Sequence, residues 1–101
     1  MTTARLTAAP GGRYGVALEG HAAGSPALCS ALSALVQALQ GWLHASGAEI
    51  YREELSPGHC ALCFSGEGSA AAFALVRVGL LRLQATDPKR LQCFDIPAPG
   101  V

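Results

Sequence analysis

The sequence predicts an α+β two-layer sandwich in ββαββαβ order, a mostly antiparallel sheet with two helices on it. Three observations predict it. Two strand pairs are each joined by turn-forming residues, Pro10-Gly11-Gly12 and Ser56-Pro57-Gly58. Two stretches with leucine and valine at helical spacing separate and follow those pairs. The chain has 101 residues, 50% of them apolar and only 14% charged, which is enough apolar material for one small core. Residues 1–101 are therefore read as a single domain.

Residues 4–9 read as the first strand, with Pro10-Gly11-Gly12 supplying the backbone angles of a reversal. Tyr14, Val16 and Leu18 then alternate with Gly15, Ala17 and Glu19, the period of a strand with one more apolar face. Ala22-Ala23-Gly24 is too small-sided for a core element, and Ser25-Pro26 is a helix start: a hydroxyl for orphan amides, then proline at the first helical position. Leu28, Leu32, Leu35, Val36, Leu39 and Leu43 form one stripe down a helix of about 18 residues that Gly47 ends.

Residues 49–55 and 59–65 form the second strand pair. Ser69 is the expected cap of a second helix running to about residue 85, with Phe73, Val76, Leu80 and Leu83 on one stripe and Leu75, Val78 and Leu81 widening it. A helix apolar almost all round on so small a protein predicts a symmetric homodimer. Arg77 and Arg82 interrupt this stripe and are expected to reach solvent or pair across the dimer contact. Asp87-Pro88 ends the helix, residues 91–96 form the last strand, and Pro97-Ala98-Pro99 begins the tail.

Charge and composition narrow the function classes. Seven basic residues balance seven acidic ones, so the chain lacks the basic surface expected of a nucleic-acid or anionic-membrane binder. No apolar run approaches the roughly 20 residues of a spanning helix, and MTTARLTAAPGG has no signal-peptide core; a cytoplasmic protein is expected. In that compartment Cys29, Cys60, Cys63 and Cys93 are reduced thiols, any of which is available for chemistry.

The chemistry-bearing stretch runs from Gly20 to Leu35, because it joins a strand end, a loop and a helix start. A cysteine in the first turns of a helix lies near the positive end of the helix dipole, which favours the thiolate. His21, on a strand end and separated from Cys29 by residues 22–28, is placed to act as its base. Amides at the same helix start would take up charge on an attacked carbonyl oxygen. Ser33, four residues beyond Cys29, shares its helix face. Each residue also has an ordinary reading: buried cysteine in an amphipathic helix, histidine in a turn, serine bonded to its own helix.

The pattern G-H-A, a small-residue loop, then C-S-A-L-S-A-L-V resembles the ribosomal-processing cysteine proteases of bacteria, the Prp family, whose hallmark is G-H-A, a Gly-containing loop and C-A-x-x-S-A. The order of hairpin, His loop, Cys helix, second hairpin with Gly-His, second helix and last strand matches over most of the chain. The resemblance implies a homodimeric cysteine endopeptidase that removes the N-terminal extension of a bacterial large-subunit ribosomal protein during ribosome maturation. It implies Cys29 as nucleophile, His21 as general base, Ser33 as an auxiliary site residue, and Gly20, Ala22, Ala23, Gly24 and Ser25 as the loop over the substrate. The chain departs from the family in a shorter His-to-Cys loop and in Pro26, where relatives often carry an acidic residue. Glu19 is the nearest carboxylate to His21, but strand alternation sends neighbours to opposite faces.

The implied partner is the ribosomal protein's N-terminal extension as a peptide, with no direct nucleic-acid or membrane contact and no cofactor. His59-Cys60-Ala61-Leu62-Cys63 contains a C-x-x-C, but on a strand Cys60 and Cys63 point to opposite faces, which argues against a metal or a disulfide. Cys93 reads as a core residue, and Trp42 and His44 as packing near a helix end. Two rivals to the protease remain: a non-catalytic dimeric module that binds a peptide or ribosomal surface, and a thiol redox protein using Cys60 and Cys63.

Overall fold

The computed structural model describes residues 1–97; Ala98 and Pro99 of the expected tail lie outside them. Strands β1 (Thr2–Ala9) and β2 (Arg13–Glu19) form the first hairpin, followed by helix α1 (Pro26–Ser46). Strands β3 (Glu49–Ser56) and β4 (His59–Ser65) form the second hairpin, followed by helix α2 (Ser69–Thr86) and strand β5 (Leu91–Asp95). The fold is α+β in the expected order. The five strands lie in one sheet, β3-β4-β2-β1-β5, antiparallel throughout except for the parallel pairing of β5 with β1.

Alternation builds the core. Val16 and Leu18 of β2, Leu6 and Ala4 of β1, and Cys60, Leu62 and Phe64 of β4 turn to the helices and are buried. Leu28, Leu32, Val36, Leu39 and Leu43 of α1 and Phe73, Val76 and Leu80 of α2 cover them. Gly79 lets the helices approach closely: a Cβ there would stand 2.9 Å from Cδ2 of Leu35. Burying such side chains stabilises the fold by roughly 1.5–3 kcal/mol each, before the chain entropy that opposes it.

Several elements differ from expectation for physical reasons. β1 begins two residues early because the Thr2 amide bonds the Arg90 carbonyl and Thr2 pairs with Leu91, a neighbour 89 positions away. The first helix runs 21 residues, from the Ser25 cap, whose hydroxyl accepts the Leu28 amide, to Gly47 at φ 72°. Ser69 does not cap α2. The cap is Gly68 at φ 84°, with no side-chain bond, and Ser69 is a helical residue whose Oγ is buried without a partner among the described residues. Ala22, read as too small for the core, is 2% exposed and packs within it.

The second helix is less uniformly covered than its composition predicts: Leu75 is 73% and Val78 53% exposed. Arg77 has a partner within the chain: its guanidinium, partly exposed, forks onto Asp95 of β5 at 2.9 and 2.7 Å. Arg82 is exposed. Trp42 is half-buried against the core and packs over Gly68, while His44 is exposed and bonds Glu53 at 2.6 Å. Cys93 is half-buried rather than fully in the core, with its thiol directed to the Leu80 carbonyl at 3.7 Å.

Candidate active site

The end of β2, the loop after it, the start of α1 and the β3–β4 turn converge on one cleft of about 500 Å³. Gly20, His21 and Ala22 form one wall, Cys29, Leu32, Ser33, Val36 and Gln37 of α1 another, and residues 55–60 the third. His21, Cys29 and Ser33 thus line the same space although the first and the last are 12 positions apart in the chain. Of the expected loop, Gly20 and Ala22 also line it; Ala23, Gly24 and Ser25 continue the loop to the helix cap.

The backbone explains the placement. At Gly20, φ is 93° and a Cβ would sit 2.4 Å from the Met1 carbonyl oxygen, so the chain turns off β2 against the start of β1. The Gly20 amide donates to the Gly58 carbonyl at 2.9 Å, which ties this turn to the β3–β4 turn. The exposed imidazole of His21 lies over Gly58. The Ser25 amide returns to the Ala22 carbonyl at 3.1 Å and starts the helix.

Cys29 is the fourth helical residue and half-buried. Its Sγ donates to the Ala22 carbonyl at 3.7 Å, so the thiol faces the loop and its hydrogen bond does not go to His21. The expected set of free amides shrinks at this helix start. Pro26 has no N–H, the Leu28 amide is held by Ser25 Oγ at 3.2 Å and the Cys29 amide by the Ser25 carbonyl at 3.1 Å, which leaves Ala27.

In the sequence His59 stands out only as the residue before a C-x-x-C. In the structure His59 lines the cleft, with Nδ1 2.5 Å from Glu19 and Nε2 3.0 Å from Glu54. These bonds raise its pKa above the ordinary histidine value, Glu54 contributing most and Glu19 next. Glu54, held by Arg52 and then by His59, is lowered to about 2. Glu19 therefore serves His59 and not His21, as alternation requires. The cross-strand pairing Glu19↔His59 would have revealed this, but it depends on β2 lying beside β4.

Cys60 and Cys63 diverge as expected. Cys60 faces the helices, and burial pushes its thiol up to about 11; Cys63 lies on the other face beside Gly15. Among the described residues no cluster of His, Cys, Asp and Glu is arranged to hold a metal ion, and no helix is long and apolar enough to cross a membrane.

No family model matches the chain, and no curated protein matches it in sequence. Solved structures do match in fold. The essential ribosomal processing protease Prp from S. aureus, in complex with a covalently linked product peptide, superposes with TM-score 0.81 at 14% identity, covering 95% of this chain and 100% of that one. The same protease with a substrate peptide gives TM-score 0.77 over the same coverage. SMU.848 from Streptococcus mutans gives TM-score 0.76 at 19% identity, covering 97% of this chain and 99% of that one.

Proposed function

We propose that this chain, which has the fold of a ribosomal processing protease, is a cysteine endopeptidase formed by residues 1–101 as one protease domain. The observation that carries the reading is the convergence of His21, Cys29 and Ser33 on one cleft at a helix start. Cys29 is the nucleophile, His21 the general base, Ser33 an auxiliary polar group, and residues 20–25 the loop against the substrate. The substrate is a peptide, read as the N-terminal extension of a large-subunit ribosomal protein; the likeness to a protease solved with a substrate peptide supports the peptide.

In this reading the Cys29 thiol leaves the Ala22 carbonyl and gives its proton to the His21 imidazole, which swings off Gly58. The thiolate attacks the scissile carbonyl carbon, and the Ala27 amide is the first-turn donor for the oxygen that becomes negative. Collapse expels the amine, protonated by His21, and leaves a thioester on Cys29. A water deprotonated by His21 then releases the acid and restores the thiol.

A second reading is favoured by one observation. The thiol is bonded to a backbone carbonyl and the imidazole packs on a glycine, an arrangement equally suited to a non-catalytic peptide-binding module. The pH dependence of alkylation at each cysteine, followed by mass spectrometry in the native protein and in His21→Ala, separates the two. Fast reaction of Cys29 below pH 7 that is lost without His21 supports the protease. Reaction like an ordinary thiol, with no peptide cleavage lost in Cys29→Ala, removes it. We further propose a cytoplasmic homodimer joined through the exposed Leu75 and Val78 of α2, and sedimentation at micromolar concentration is expected to give twice the chain mass.

A further inference from the structure

Both glycine corners of the His21–Cys29 loop are held from one end of the β1–β5 pairing, the first by Met1 and Thr2 and the second by Arg90. The first, Gly20, packs on the Met1 carbonyl and accepts at its own carbonyl from Thr2 Oγ1 at 3.4 Å. The second, Gly24, has φ 83°, and a Cβ there would stand in van der Waals contact, 3.5 Å, with Nη2 of Arg90. Arg90 Nε donates to the Ala23 carbonyl at 3.0 Å across 67 positions of sequence. Its Nη1 meanwhile donates to both oxygens of Asp87, at 3.2 and 3.1 Å.

The Arg90 backbone is equally committed. Its carbonyl accepts the Thr2 amide at 2.8 Å and its amide donates to the Asp87 carbonyl at 3.1 Å, so the guanidinium projects from the rigid edge where β1 meets β5. That edge carries the Met1–Thr2 contact to Gly20 as well. The loop is thus strutted at both corners from one place. Ala23, the residue that Arg90 holds, follows Ala22, whose carbonyl accepts the Cys29 thiol, and lies two residues from His21.

We propose that Arg90 is a positioning residue for the cleft: through its bond to Ala23 it fixes the loop that carries His21 and that receives the Cys29 thiol. The inference rests on the protease reading for its effect on turnover, but its structural half stands alone. Asp87 orients the fork, and Gly24, at φ 83°, takes the left-handed turn that brings the loop against it. A lysine supplies charge and one donor at most in this direction, and it cannot reach Ala23 and Asp87 in the same planar geometry.

The test compares Arg90→Ala, Arg90→Lys and Asp87→Asn with the parent, below each protein's unfolding transition. Amide hydrogen exchange over residues 21–25, alkylation of Cys29 and kcat/KM on a peptide substrate are read together. In Arg90→Ala the loop amides are expected to exchange on the order of tenfold faster, with α1 beyond Leu32 unchanged, and kcat/KM to fall by on the order of tenfold. Arg90→Lys is expected to stay near Arg90→Ala and Asp87→Asn to lie between, which provides a usable variant should Arg90→Ala fold poorly. Unchanged loop exchange in folded Arg90 variants overturns the proposal, as does faster exchange with both alkylation of Cys29 and kcat/KM untouched. A parent that cleaves no peptide overturns the protease reading alone; loop exchange and Cys29 alkylation then still decide the role of Arg90.

Discussion

The imidazole of His21 occupies the space that a side chain at residue 58 would take: a Cβ on Gly58 would lie 2.5 Å from Nε2. The β3–β4 turn is therefore the seat of the histidine, and glycine is required there twice, for the ring and for φ 75°.

Gly58→Ala is expected to displace His21 as well as strain the turn. The backbone strain alone costs about 1–2 kcal/mol. Gly12→Ala gives the matched control, because Gly12 has φ 80° and open space around its Cβ position. Thermal midpoints should fall comparably in the two variants, whereas only Gly58→Ala should change the dependence of Cys29 alkylation on His21. Equal alkylation in both would show that the seat does not matter.

The Glu19–His59–Glu54 bridge should give stability a pH window. Both nitrogens of His59 face carboxylates, which only the imidazolium satisfies with two donors. His59 is raised above 6.5, so its contribution is complete below 6.5 and is lost as pH rises through the higher folded value. Glu54 is lowered from 4.5 to about 2, so its contribution is complete above 4.5 and is lost as pH falls toward 2. The difference in thermal midpoint between the parent and His59→Gln should be greatest between 4.5 and 6.5 and shrink on either side. A difference independent of pH would mean that the bridge is not ionic.

The thiols should separate by burial. Cys60, 7% exposed and pushed up to about 11, should resist iodoacetamide at pH 8 in the folded protein. Cys93 is also raised, first by burial and then by Asp95, and should lag behind Cys63, which lies on the uncovered face. Peptide mapping after timed alkylation checks the order, and early labelling of Cys60 would contradict the packing of β4 under α1.

Ser69→Ala should stabilise the protein. The Oγ is buried with no partner among the described residues, so the variant removes a desolvated hydroxyl and adds a better helix former. A gain of about 1 kcal/mol in urea unfolding is expected. A loss would mean that the hydroxyl has a partner in solution, such as a buried water.

Much of the fold was legible because its signals are local. Pro10-Gly11-Gly12, the Ser25-Pro26 start, the α1 stripe and the Gly47 stop each act within a few residues, and each is found where the sequence placed it. His21, Cys29 and Ser33 were legible as candidates for the same reason, since one strand end, one loop and one helix start contain them all. Ser69 shows the limit of local rules. Serine before an apolar run reads as a cap, but the left-handed Gly68 holds that position and turns Ser69 into the core.

Sequence by itself determined the element order, the faces of the strands and the presence of a histidine and a cysteine at one helix start, because hydrophobic period and turn chemistry are short-range. Only the tertiary structure decided that β5 runs parallel beside β1, that Glu19 meets His59, that His21 rests on Gly58 and that Arg90 reaches Ala23. Those contacts join residues tens of positions apart. They follow from which strands become neighbours, a choice made by burying the whole apolar surface at once, and no window of sequence contains it.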